Sequence, residues 1–402
     1  MAVGAASAVP AWSDLGAVRD IVAAQLSGSA QGTDFLNLYA GAQLMLRDSA
    51  HVYDLEAQLA VQRGLTGWQS PIVPFFLPPY AAVLVSFLGL LPYGLAYLAW
   101  LLTGVACLVG AAVLLAPRWG GRWYSLVWLG LGMLYLPAFL GLAEGQTTAL
   151  MLLAFAGFCR LFVTRHRWLL AACVLAWLLK PQLAVPLVVA LLLARRFDVL
   201  LRVLSLVLAF SLAALLVMRP EGFAAYLTLA LRKTSESFAA DPAFLPGPTL
   251  LHTAHWFFGL SWPAHVLGLL LLACAWLLFV RVWRTRDAPL QLAALPVIAT
   301  IGAPYALVHE MTAWLATFWL VYAWSAGSPP ARATLLWLTA AIWLAADVGV
   351  ALPLLGGAAI AAPLGMLLLW FLPTLAPAGQ KLPAPARSRP ASPPAESALP
   401  SP

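Results

Sequence analysis

Long apolar runs, separated by short polar gaps, organise this chain. They fall at 94–116, 125–143, 146–160, 168–194, 199–218, 263–280, 290–307, 311–326, 334–352 and 356–373. An α-helix needs about 20 predominantly apolar residues to cross a bilayer, and most of these runs approach that length. The runs are continuous rather than alternating, which argues against a β-barrel. The pattern predicts an all-α, polytopic membrane bundle with roughly 10–12 transmembrane segments. Lys180-Pro181 interrupts the run 168–194. Proline removes a backbone donor and clashes with the preceding turn, so this run is either one kinked helix or two short ones. The segment 76–92 is short and bounded by prolines, and reads as a short span or a re-entrant hairpin.

Residues 35–64 carry a different pattern. Phe35, Leu38, Tyr39, Ala42 and Leu46 recur at helical spacing, with polar Asn37, Gln43 and Arg47 between them. Asp54 is placed to cap a second short helix ending at Gly64. Two short amphipathic helices in the membrane interface fit this spacing. The expected organisation is therefore a tail over 1–33 without a span, and an outer loop with interfacial helices over 34–75. A helical bundle over 76–373 follows, with a long outer loop at 219–262. A Pro/Ala-rich, disordered cytoplasmic tail covers 374–402.

Composition sharpens the class. Hydrophobic residues make up 63% of the chain and charged residues 9%, against about 25% charged in soluble domains. A soluble enzyme, a disordered chain and a secreted disulfide scaffold are excluded. The formal net charge of +7 does not point to nucleic acid, because the arginines sit in short gaps between apolar runs. Arg118, Arg122, Arg160, Arg165, Arg167, Arg195, Arg196, Arg202, Arg281, Arg284, Arg286 and Arg332 fall on one side if 168–194 is a hairpin. That side is then the cytoplasm. The opposite side holds residues 31–75, the Glu144–Gln146 turn, the Lys180 break, 219–262 and Pro304–Glu310. The four cysteines show no CxxC spacing and read as small buried hydrophobes. No nucleotide-binding or serine-hydrolase motif is present, so no cofactor is expected.

Only fifteen acidic residues occur, and charges near a membrane interior are usually functional. Asp34 opens the first predicted helix, as an N-cap or as a general base. Glu144 and Gln146 form a polar turn or bind a polar substrate. Lys180 either snorkels to the interface or meets a phosphate where the helix opens. His309-Glu310 is a surface pair or an imidazole and carboxylate beside the reacting groups. Arg232 and Lys233 suit an anionic lipid headgroup or a solvated loop. His252 and His255 are spaced to share a helix face, but without a third ligand no metal site is assigned.

In their order along the chain, several motifs resemble glycosyltransferase family 87. They are Asp34-Phe35 with Tyr39; Val52-Tyr53-Asp54; Pro74-Phe75-Phe76-Leu77-Pro78-Pro79; Leu91-Pro92 before Trp100; Gly145-Gln146; Leu179-Lys180-Pro181 with Arg195-Arg196; and Ala303-Pro304 with His309-Glu310. The resemblance implies a GT-C fold in a bacterial inner membrane, with its site on the extracytoplasmic side. It implies transfer of a sugar, mannose above all, from a polyprenyl-phosphate donor to a lipid or cell-envelope glycan acceptor. Asp34 would be the catalytic base and His309 a second catalytic residue. Tyr39, Glu144, Gln146, Lys180, Arg232, Lys233 and Glu310 would bind substrate. The family's last outer motif usually reads His-Asp, where this chain carries His309-Glu310. A secondary transporter or lipid flippase is the alternative. It predicts paired broken helices with polar groups near the midplane, whereas this chain shows one clear break, at Lys180-Pro181.

Overall fold

A computed structural model describes residue 23 and residues 34–66, 74–115, 122–162, 164–237, 247–285, 287–325, 329–351 and 357–375. The expected tails, over 1–33 and 374–402, lie almost entirely outside the described residues. Among the described residues the regular structure is helical throughout, and the protein is an all-α polytopic membrane protein. The helices are α1 (Asp34–Arg47), α2 (Leu55–Thr66), α3 (Pro79–Val85), α4 (Tyr93–Leu115), α5 (Arg122–Leu134), α6 (Leu136–Ala143), α7 (Thr148–Leu161) and α8 (Arg167–Trp177). They continue with α9 (Pro181–Leu193), α10 (Phe197–Ser237), α11 (Leu250–Phe258), α12 (Trp262–Arg284), α13 (Ala288–Ile301), α14 (Trp314–Ser325), α15 (Pro329–Ala351) and α16 (Gly357–Leu375). Short 3-10 segments occupy Ser49–His51, Ser86–Leu90 and Val308–Ala313. Among the described residues, α4, α12 and Phe197–Leu231 of α10 are long and apolar enough to cross a membrane.

The breaks follow the prolines. The run 168–194 is two helices, because Pro181 starts α9 and Lys180 before it is held out of the helix at φ −126°, ψ 86°. The residue before proline is disfavoured in the α region. The same rule splits α10: Pro220 leaves Arg219 at φ 61°, ψ 168°, between two helical limbs. The expected loop at 219–262 therefore carries helix over most of its described length. The run 125–143 also divides. Tyr135 is extended, at φ −77° and ψ 104°, and Pro137 lies in the first turn of α6.

Packing places the site. In α13 every residue from Leu290 to Ile301 is buried, as expected for a helix that is apolar all round and central to its bundle. A second core joins α1 to the start of α4: Phe35, fully buried, meets the Tyr93 and Tyr97 rings edge-on at 5.4 and 5.2 Å. From Phe35 to Met45, α1 is buried apart from Asn37, so protein surrounds most of its circumference. The arginines gather at one end of α7, α8 and α9. Arg160 Nε donates to the Leu114 carbonyl at 2.5 Å, Arg196 Nη1 to the Phe162 carbonyl at 2.6 Å, and Arg167 pairs with Asp198 at 2.8 Å. From that end the fourteen residues of α7 reach the Glu144–Gln146 turn, about 21 Å away at 1.5 Å per residue.

Gly41 tests this packing. A Cβ there would lie 2.6 Å from the Phe75 ring, whereas one at Gly64 would meet nothing within 4 Å. Gly41→Ala is expected to destabilise the protein by about 1–3 kcal/mol through overpacking. Gly64→Ala, inside α2, is expected to stabilise it by about 1 kcal/mol. Thermal unfolding of the detergent-solubilised protein checks both.

Candidate functional site

Four chain segments converge on one polar cluster. The first is the N-terminus of α1. Asp34 is its first residue, and a carboxylate is favoured there by the helix dipole. Asn37, one turn on, donates its side-chain amide to Asp34 Oδ1 at 3.2 Å. The second segment is the turn after α6. Gly145, at φ +75°, takes the left-handed conformation that ends helices. Gln146 N–H closes onto the Gly141 carbonyl at 2.8 Å and Gly145 N–H onto the Leu142 carbonyl at 3.1 Å, the paired bonds of a Schellman motif. A Cβ on Gly145 would sit 2.5 Å from the Cβ of Phe35. Glycine is therefore required both by conformation and by the approach of α1.

This turn is tied down from outside. Tyr97 Oη donates to the Ala143 carbonyl at 2.9 Å and Trp100 Nε1 to the Gly145 carbonyl at 2.8 Å. Phe35 N–H donates to the Glu144 carbonyl at 2.7 Å, which locks the start of α1 onto it. The third segment is the α8–α9 break, where Lys180 leaves the helical path. The fourth is the Val308–Ala313 segment with His309 and Glu310, both buried.

The side chains connect in two branches. Gln146 Nε2 donates to Asp34 Oδ2, and Gln146 Oε1 accepts from Lys180 Nζ at 3.0 Å. Lys180 Nζ also pairs with Glu310 Oε1 at 2.8 Å, and Glu310 Oε2 accepts the Leu307 N–H at 2.9 Å. In the second branch, His309 Nδ1 meets Glu144 Oε2 at 3.3 Å. One ligating atom each from Asp34, Glu144 and His309 all lie within 4.8 Å of one another. The other imidazole nitrogen of His309, Nε2, is buried and finds no hydrogen-bond partner among the described residues. Burial pushes the Glu144 carboxyl above its ordinary range, His309 pulls it back and Asp34 adds to the rise.

This arrangement offers specific chemistry. Asp34 is a carboxylate with its orientation set by two amides, suited to accept a proton. Lys180 and His309 supply positive charge or donors for a developing anion. Two carboxylates and an imidazole at this spacing are also a donor set able to ligate a divalent cation.

Six residues singled out from sequence thus meet: Asp34, Glu144, Gln146, Lys180, His309 and Glu310. Tyr39 lies one turn along α1, its hydroxyl donating to the Leu91 carbonyl at 2.7 Å and accepting from Gln43 at 2.9 Å. Arg232 and Lys233 lie on the last turns of α10, and their side chains fall outside the described residues. His252 and His255 share α11, but among the described residues no third ligand joins them. Burial first, then the neighbouring His255, pushes His252 down to about 4. His255 instead stacks on His265 at 5.5 Å. Sequence reasoning did not single out Tyr97 and Trp100 as supports of the turn, since nothing local marks an aromatic donor aimed at a distant carbonyl. It also passed over Asp347, although an acid inside the run 334–352 is a signal in itself.

The model of glycosyltransferase family 87 matches residues 75–308, more than half of the chain. No curated protein and no solved structure matches it. Glu144, Gln146 and Lys180 lie inside the matched region, Asp34 precedes it, and His309 and Glu310 follow its last residue directly.

The Glu144 shift sets a pH dependence. Its ionised form pairs with His309, and a raised pKa means that this form is lost, as pH falls, at a higher pH than for a free glutamate. The acid limb of the activity profile is expected above the ordinary carboxylate range. In Glu144→Gln the limb is expected to move to lower pH. Initial rates across pH 4–8 check this, and a limb that stays in place would contradict it.

Proposed function

The chain belongs to glycosyltransferase family 87 and is a membrane glycosyltransferase, and from that premise we propose a donor, an acceptor and a mechanism. The donor is a sugar, mannose in our reading, carried on a polyprenyl phosphate. The acceptor is a hydroxyl of a lipid or cell-envelope glycan on the extracytoplasmic face of a bacterial inner membrane. The observation that carries this reading is the cluster itself. In a chain that is 9% charged, three carboxylates, one lysine and one histidine from four distant segments gather around one turn.

Asp34 takes the proton of the acceptor hydroxyl. The hydroxyl oxygen attacks the anomeric carbon, the bond from that carbon to the phosphate oxygen breaks, and polyprenyl phosphate departs with the electron pair. Attack opposite the leaving group inverts the anomeric configuration. Lys180 and His309 neutralise the charge that grows on the departing phosphate. Gln146 holds Asp34 and Lys180 in register, since one amide contacts both. Glu144 orients His309, and Glu310 keeps Lys180 directed at the cluster.

The helix lengths support the sidedness. The turn and the arginine cluster lie at opposite ends of α7, and α8 and α9 lead from that cluster to Lys180. With the arginines on the cytoplasmic side, the cluster faces the other side. Because α8 has eleven residues and α9 thirteen, they reach only about 16–20 Å, short of the roughly 30 Å hydrocarbon core. The site is then recessed, within reach of a lipid-borne phosphate.

Asp34→Asn removes the base and keeps the shape. Loss of a general base costs about 10²- to 10⁴-fold, so transfer from polyprenyl-phosphate-mannose to envelope-lipid acceptors is expected to fall by that amount. Unchanged transfer by this variant would refute the mechanism.

A further inference from the structure

Asp347 lies in the apolar stretch Trp337–Val348 of α15, away from the cluster in sequence and on a different helix. A carboxylate in such a place is costly and calls for a partner. It has two partners: Asp347 Oδ1 accepts the Leu136 N–H at 2.9 Å, and the Trp343 side chain, one turn earlier on α15, also donates to the carboxylate.

That bond completes the hydrogen bonding at the start of α6. A helix leaves its first N–H groups without intrahelical partners. In α6, Pro137 has no N–H, and Ala138 and Phe139 both donate to the Tyr135 carbonyl, at 3.0 and 3.1 Å. Leu136 alone remains, at a break inside an apolar bundle where a stranded donor is expensive. Asp347 satisfies it and also places negative charge at the positive end of the helix. Tyr135, fully buried, fixes the same junction by packing on Trp343, one turn before Asp347, at 4.7 Å between ring centroids.

The other end of α6 is the Glu144–Gly145–Gln146 turn. The helix is eight residues long, about 12 Å. Along its side, Thr312 Oγ1 bonds the Pro137 carbonyl at 3.3 Å. Gly141 leaves room for the start of α7, since a Cβ there would lie 2.6 Å from Thr148 Oγ1, and its other side lies at ordinary contact distance from His309, 3.6 Å to the His309 Cβ. A short rod held at both ends carries displacement from one end to the other. We propose that Asp347 is a positioning residue: by capping α6 from α15 it sets where Glu144 and Gln146 stand relative to Asp34 and His309. Its catalytic consequence rests on the reading that this turn belongs to the transferase site. The cap itself does not.

The test uses the full-length protein in detergent, with two readouts. Hydrogen–deuterium exchange over residues 136–146 reads the cap, and mannosyl transfer kinetics read its consequence. Asp347→Leu removes the acceptor. It is expected to speed exchange across 136–146 and to lower kcat about 10- to 100-fold, the scale of a misplaced catalytic group, with KM changed less than twofold. Asp347→Asn keeps an oxygen acceptor and is expected to restore both readouts to within threefold of wild type, which a general loss of stability would not do. Asp34→Asn is expected to lose transfer while keeping wild-type exchange. Should Asp347→Leu fail to fold, L136P/D347L removes the backbone donor together with its acceptor, so no backbone N–H is stranded at the start of α6. It is expected to fold and still to lose kcat. Unchanged exchange in Asp347→Leu, or wild-type kcat in a folded Asp347→Leu or L136P/D347L, overturns the proposal. If the wild type itself transfers no sugar, the functional reading fails, and the exchange arm still decides the cap.

Discussion

The Lys180–Glu310 pair is the contact on which the site depends. Glu310 is almost wholly buried and Lys180 nearly so, with side-chain exposures of 2% and 15%, and their charged atoms are 2.8 Å apart. Removing one partner of a buried pair typically costs about 3–5 kcal/mol, because the other charge is left uncompensated. The remaining polar atoms of the pair are also used. Glu310 Oε2 holds the Leu307 N–H, and Lys180 reaches on to Gln146 and so to Asp34. Through this one ion pair, the α8–α9 break, the segment after α13 and the N-terminus of α1 are held in a common frame.

The surrounding fold explains how such a cluster stands in an apolar bundle. Each polar side chain leaves its element where the helix stops: Asp34 at a start, Glu144 at a C-terminal turn, Lys180 at a proline break, His309 and Glu310 in a 3-10 segment. Helix ends carry unsatisfied backbone groups in any case. Grouping those ends lets side chains and backbone satisfy one another, as Phe35 N–H with the Glu144 carbonyl and Leu307 N–H with Glu310 do. Asp347 extends the same economy one helix outward, meeting the last free donor at the start of α6.

Much of the site was legible in the sequence because charge is so scarce there. Asp34, Glu144, Lys180, His309 and Glu310 each interrupt or border an apolar run, and polar residues in such places stand out. The proline rule located the Lys180 break, whereas at Arg219 a loop was expected from 219 to 262 and the structure shows a kink between two helical limbs. Pairings across long separations were not legible: nothing near Glu144 indicates that its partner is His309, nor near Leu136 that its acceptor is Asp347. The division of 125–143 at Tyr135 was missed because the run stays apolar on both sides of the break. The burial of α1 was also missed, since its spacing of apolar and polar residues suits an interfacial helix as well as one enclosed by Tyr93, Tyr97 and Phe75.

The central claim is that the Asp34–Gln146–Lys180 line and the Glu144–His309 pair together form the place where a lipid-borne sugar phosphate reacts. A cryo-EM structure with a non-transferable polyprenyl-phosphate-mannose analogue tests it most directly. The account predicts the donor phosphate within hydrogen-bond distance, about 3 Å, of Lys180 or His309, with the anomeric carbon facing the side on which Asp34 stands. A phosphate seated elsewhere in the bundle, with Lys180 still paired to Glu310 and no donor atom near Asp34, would contradict it.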